Sequence, residues 1–184
     1  MCKASLFLCA PALAMIATPA AAQLRGDVHA GLDSLSSDGE SQEGVTYGLT
    51  VSYDLPGRDM ILGVQLDLDA TDNRDCKADV FVTGDRACIE GQRDTAITGR
   101  LGYRAGDRVM LIGTAGYANA RFRASYEGAG IRTDEHETLD GVRLGVAAVA
   151  DIGRRLYAKA EYRYTNYEQD VSRHQGLAGI GLRF

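Results

Sequence analysis

The stretch Gly44-Val45-Thr46-Tyr47-Gly48-Leu49-Thr50-Val51-Ser52-Tyr53-Asp54-Leu55 decides the fold. Val45, Tyr47, Leu49, Val51, Tyr53 and Leu55 share one face of an extended chain, and Thr46, Gly48, Thr50, Ser52 and Asp54 share the other. Successive side chains of a strand point to opposite faces, so this segment is a ribbon that is apolar on one side and polar on the other. Working outward, the same period of two returns in residues 24–33, 60–69, 95–104, 109–119, 142–151, 156–165 and 175–184, which predicts eight strands. In residues 109–119 the facing stays ambiguous, because Met110 and Ile112 oppose Val109, Leu111, Ala115 and Tyr117. A helical period is hard to find after Gln23.

The connections alternate in length. Pro56-Gly57-Arg58-Asp59, Ala105-Gly106-Asp107-Arg108 and Ile152-Gly153-Arg154-Arg155 are tight turns built on glycine, which tolerates positive φ. Between them lie long polar segments at 34–43, 70–92, 121–139 and 166–173, expected to be loops. Short turns at one end and long loops at the other describe an up-and-down transmembrane barrel of the Gram-negative outer membrane, with turns periplasmic and loops outside. About ten residues per strand is the length needed to cross a bilayer with tilt. Tyr53, Tyr103 and Phe184 near the turns, with Tyr117, Tyr162, Tyr164 and Tyr167 near the loops, are candidate aromatic girdles.

The amino terminus agrees with export. Lys3 precedes an apolar run ending near Ala17, and Ala20-Ala21-Ala22 forms a small-residue cleavage site, so residues 1–22 are expected to be a signal peptide and 23–184 the barrel domain. Pro11 interrupts that run, and it is too short for a spanning helix. Cys76 and Cys88 remain after cleavage in a chain sent to an oxidising compartment, which predicts a disulfide between them. The formal charge of -5 argues against nucleic acid. A mildly polar mean hydropathy is uninformative, because a barrel alternating lipid-facing and lumen-facing residues averages to such a value.

Polar faces of the predicted strands collect a constellation of charge: Asp27, Asp67 and Glu161 with Arg100, Arg143, Lys159 and Arg163. Eight strands enclose an interior filled by side chains, where charges must pair to be tolerated. The expected role of this lumen network is structural, with a narrow ion-conducting pore as the alternative. A serine-histidine-acid cluster at Ser172, His174, Glu168 and Asp170 is loop composition, and no enzymatic activity is expected. Asp72, Asp75, Asp79, Asp85, Glu90 and Asp94 lack the spacing of a calcium loop, so no metal or cofactor is expected either.

Gly141-Val142-Arg143-Leu144-Gly145-Val146-Ala147-Ala148, then Ala160-Glu161-Tyr162-Arg163-Tyr164, and the closing Gly179-Ile180-Gly181-Leu182-Arg183-Phe184 resemble the OmpA-like, opacity-type outer-membrane β-barrel proteins. The resemblance is diffuse over residues 23–184 and sharpest from Gly141 onward. It implies an eight-stranded barrel, insertion by the barrel assembly machinery and a surface role. Gly179, Leu182 and Phe184 fit the carboxy-terminal assembly signal, whereas Leu177 stands where that signal prefers a polar residue. Val149 stands where such proteins often carry a lumen glutamate. The expected partners are outer-membrane lipids and lipopolysaccharide, with a host or surface ligand on the loops and a monomeric barrel. No peptidoglycan-binding segment is expected after Phe184. A secreted, lipocalin-type binding barrel is the alternative from another class, since periodicity alone does not say which face is inside.

Overall fold

The computed structural model describes residues 23–37, 40–72, 74–78, 85–128, 131–168 and 171–184. The expected signal peptide, 1–22, lies outside the described residues. Among those described, the strands are β1 (Gln23–Ser37), β2 (Glu40–Pro56), β3 (Met60–Thr71), β4 (Arg74–Ala78), β5 (Arg86–Arg104), β6 (Val109–Gly128), β7 (Ile131–Asp151), β8 (Leu156–Tyr167) and β9 (Ser172–Arg183). All pairings are antiparallel, in the order β3-β2-β1-β9-β8-β7-β6-β5, and a β3–β5 ladder closes the ring. Eight strands therefore form a meander barrel, with β4, among the described residues, pairing only to β5 outside it.

First and last strands meet. Arg25 lies opposite Arg183, and the Phe184 amide donates to the Leu24 carbonyl at 2.9 Å. The tight turns form where glycine was found: the Gly57 amide donates to the Met60 carbonyl at 2.7 Å, Ala105 to Val109 at 2.9 Å and Ile152 to Leu156 at 3.0 Å.

The apolar face of every barrel strand points outward, as at Val28, Leu32, Val146 and Leu62, each more than 60% exposed except Val28 at 60%. This removes the soluble, lipocalin-type alternative, which needs those residues inside around a cavity. No helix among the described residues is long and apolar enough to cross a membrane, a fact that says nothing against crossing by strands.

Several sequence expectations change. Met110 and Ile112 face inward, packed with Ile61, Ala147, Val149 and Tyr157 in an apolar cluster at the turn end. Much of the segments expected to be loops is strand: β5, β6 and β7 run 19, 20 and 21 residues. The β7–β8 ladder ends at Gly141 and Tyr167, yet β7 stays paired to β6 from Asp140 up to Ile131 opposite Gly128. That overhang of residues 131–140 is about 33 Å of strand. With β4 against β5, it makes a sheet projecting past the barrel rim. Polar composition hid it, because a sheet wet on both faces has no lipid to demand an apolar side.

Candidate functional site

Inward-facing positions fill the lumen in three layers. Nearest the turns, the apolar cluster is flanked by Arg25, whose Nε lies 2.9 Å from Asp54, and by Arg100, 3.3 Å from the same carboxylate. Tyr157 caps this layer, donating its hydroxyl to Asp27 at 3.0 Å.

The middle layer centres on Arg163. Its Nη2 donates to Asp67 and to Glu161, each at 2.9 Å, and its Nη1 donates to Asp69 at 2.9 Å. Strand order sets β8 diametrically across the ring from β3, so this guanidinium spans the barrel. Lys159 reaches Asp27 at 2.5 Å and Glu161 at 3.1 Å. The acceptors are shared further: Thr50 donates to Asp67 at 2.7 Å, Gln65 to the same oxygen at 2.9 Å, and His29 Nε2 lies 2.6 Å from Asp69.

Toward the loops, Arg173 grips Asp33 with two bonds of 2.7 and 2.6 Å and donates to Asp94 at 2.8 Å, again across the ring. Arg143 pairs with Asp94 and donates to Thr165 at 3.0 Å. Tyr167 adds a hydroxyl to Asp94 at 3.0 Å. It is buried beside Ala96, Ala118, Ala120 and Leu139, so it is a lumen residue and not part of an outer aromatic girdle.

All seven residues of the expected constellation, Asp27, Asp67, Arg100, Arg143, Lys159, Glu161 and Arg163, are buried inside the barrel. Asp54, Asp69, Asp94, Arg25, His29, Asp33 and Arg173 complete the network and were not included in it. Parity was the available signal: Arg173 and Gln175 lie in step with Leu177 and Gly181, opposite to the outward Ala178, Ile180 and Leu182. A partly paired network is costly, because each buried charge left without its partner keeps the full desolvation penalty.

Outside the lumen the other candidates separate. His174 Nδ1 lies 2.7 Å from the Tyr162 hydroxyl, and its ring meets that of Tyr164 at 4.9 Å in a tilted contact, so the histidine is engaged by tyrosines and not by Ser172. Asp170 and Asp79 lie outside the described residues. Of the acidic cluster, Asp94 serves the lumen while Asp85 accepts from Tyr126 at 3.0 Å, which holds the Tyr126 phenol above its ordinary range. Among the described residues no group of His, Cys, Asp or Glu is arranged to hold a metal. Register sets Cys76 opposite Cys88 across β4 and β5, and Cys88 is disulfide-bonded.

Known proteins share this architecture. The structure superimposes on Ail, the attachment invasion locus protein of Yersinia pestis, solved with the heparin analogue sucrose octasulfate, with a TM-score of 0.64 and 14% identity over 89% of this chain and 99% of that one. Neisserial surface protein A follows at a TM-score of 0.54 and 16% identity, over 89% and 97% of the two chains. These likenesses show the fold. In sequence, the 31 kDa outer-membrane immunogenic protein of Brucella melitensis is 26% identical over 119 residues, 52% of this chain and 50% of that protein, so the chain spans about half the length of this relative. Residues 4–184 match the family model described as the outer membrane protein beta-barrel domain. With a closed ring, an outward apolar face and a charged interior, the chain belongs to that family and is a protein of the Gram-negative outer membrane.

Proposed function

We propose that this barrel is a surface-contact protein: a trunk whose lumen is closed by its own ion pairs, carrying a rigid sheet into the space outside the cell. The observation that carries the reading is the β6–β7 ladder from Asp140 up to Ile131, which outruns the barrel rim and, above the Glu168–Asp140 hydrogen bond, leaves one edge of β7 without a paired strand among the described residues. Such an edge is a template for another strand, and a stiff hairpin presents side chains at small entropic cost. A Cys76–Cys88 disulfide ties β4 to this sheet. The likeness in fold to Ail, a protein named for attachment and invasion, supports the same direction.

Bridges that cross the lumen's diameter, Arg163 to Asp69 and Arg173 to Asp94, support its closure. In assembly, Gly179, Leu182 and Phe184 are the residues presented to the barrel assembly machinery, and the barrel works as a monomer without cofactor or catalysis. The test replaces residues 122–137 with a tight turn and compares attachment of expressing bacteria to epithelial monolayers and to sulfated polysaccharide. The trimmed barrel should insert normally while attachment drops to the level of cells lacking the protein. Undiminished attachment by a surface-inserted trimmed barrel would overturn the reading.

A further inference from the structure

One register position on the outer wall sets two positive charges side by side with nothing between them. Arg93 of β5 and Arg121 of β6 are direct cross-strand partners, and both are exposed. Directly opposed residues hold their Cβ atoms about 5 Å apart, and like charges there are destabilising. Among the described residues neither guanidinium has a carboxylate partner. Two outward acids flank the pair diagonally: Asp140, which accepts from Tyr117 at 2.5 Å and Asn119 at 2.6 Å, and the exposed Asp72, two residues beyond the Ala70 partner of Arg93, and neither forms an ion pair with the arginines. A β-bulge between Gly91 and Arg93 marks this level, the point at which β5 leaves β3 after the Ala70–Arg93 pair.

Height decides what could neutralise the pair. Below Arg93, the outward positions of β5 are Thr95, Ile97, Gly99, Leu101 and Tyr103, the last beside the turn. From Tyr103 to Arg93 is about 33 Å of strand, which a tilt of about 40° turns into about 25 Å along the membrane normal, the height of the apolar band. On β6 the path from Val109 to Arg121 gives about 30 Å by the same arithmetic. Both arginines thus stand at the outer headgroup level, with the exposed Tyr117 two outward positions deeper on β6.

We propose that Arg93 and Arg121 form a binding site for a phosphate group of lipid A in the outer leaflet. An anion held between two planar forks makes several charge-assisted bonds at once and removes the repulsion that the bare barrel carries. The site requires only the outer-membrane location of the barrel and is separate from the attachment role of the projecting sheet.

The test measures binding of fluorescent lipid A to the barrel in phosphatidylcholine nanodiscs. Arg93→Gln/Arg121→Gln should weaken the apparent affinity about tenfold, on the scale of losing charge-assisted contacts, and each single change should weaken it less. Arg58→Gln/Arg108→Gln, at the turns on the opposite rim, should leave affinity unchanged. Lipid A stripped of phosphate should bind wild type no better than the double variant. Equal affinity of wild type and double variant would overturn the site, as would an equal loss in the turn-side variant, which would mean diffuse charge. Competition by millimolar inorganic phosphate as effective as that by unlabelled lipid A would instead identify a free-anion site and overturn the lipid assignment.

Discussion

Below the rim, β5, β6 and β7 are walls of a barrel; above it, the same three strands are a free-standing sheet, and the ladder between β6 and β7 runs through the boundary without a register shift. Hydrogen bonding is therefore not what distinguishes the two regions. In the trunk, Leu101, Leu111 and Leu144 face lipid while Arg100, Arg143 and Arg163 are enclosed by carboxylates. In the sheet, exposed positions include Thr133, Glu135, His136, Glu137 and Thr138, with local ties such as Tyr126 to Asp85. The lesson is that backbone pairing builds both, whereas the solvent on each face chooses the side chains. Lipid imposes an apolar outside on the trunk and forces its charges inward. Water imposes nothing comparable on the sheet.

The sharpest way to break this contrast is to remove a lumen charge. Arg163→Met strands Asp67, Asp69 and Glu161 without the guanidinium that bonds all three. A loss of about 3–5 kcal/mol is expected in urea unfolding from lipid vesicles. A value within about 1 kcal/mol of wild type would mean that the pairs do not hold the trunk.

A smaller effect is expected from steric insult without a change of charge. A Cβ added at Gly181 meets the Tyr157 ring and lies 2.7 Å from the Asp27 Cβ. Gly181→Val should cost about 1–3 kcal/mol in the same experiment, and the heat-modifiable gel shift should occur at lower temperature. Wild-type behaviour would place more free space at the turn-side layer than the contacts allow.

The smallest effect belongs to the sheet. Tyr126→Phe deletes the hydroxyl that donates to Asp85 and should leave trunk unfolding within about 0.5 kcal/mol, while amide exchange in the outer parts of β5 and β6 quickens. A trunk loss as large as that of Arg163→Met would show that sheet and trunk unfold as one unit and dissolve the contrast.

Legibility followed the same boundary. Wherever lipid bathes one face, alternation is strong, and the eight strands and the turns at Gly57, Gly106 and Gly153 could be read directly, whereas which face lies outside, and the inward facing of Met110 and Ile112, came only with the closed ring. Beyond the rim the signal thins. Phe122, Ala124 and Tyr126 alternate with Arg121, Arg123 and Ser125, a period of two that could have revealed the extension of β6 but is masked by the surrounding charge. Within the lumen, Glu161 and Arg163 were legible as inward residues from their alternation with Ala160, Tyr162 and Tyr164. Tyr167 was misplaced in a girdle because being aromatic and near a loop says nothing about parity, and its odd position in β8 puts it in step with Arg163 and Thr165.

The sequence by itself determined the period of two, the split of the strands into an apolar and a polar face and the end of the barrel that carries the turns. These are local properties, set by neighbouring residues and by the burial each side chain requires. Only the tertiary structure decided who pairs with whom inside. Arg163 meets Asp69 and Asp67 across separations of 94 and 96 residues because closing eight strands brings β8 opposite β3. Ring closure and stagger fix that meeting, and no local pattern encodes them.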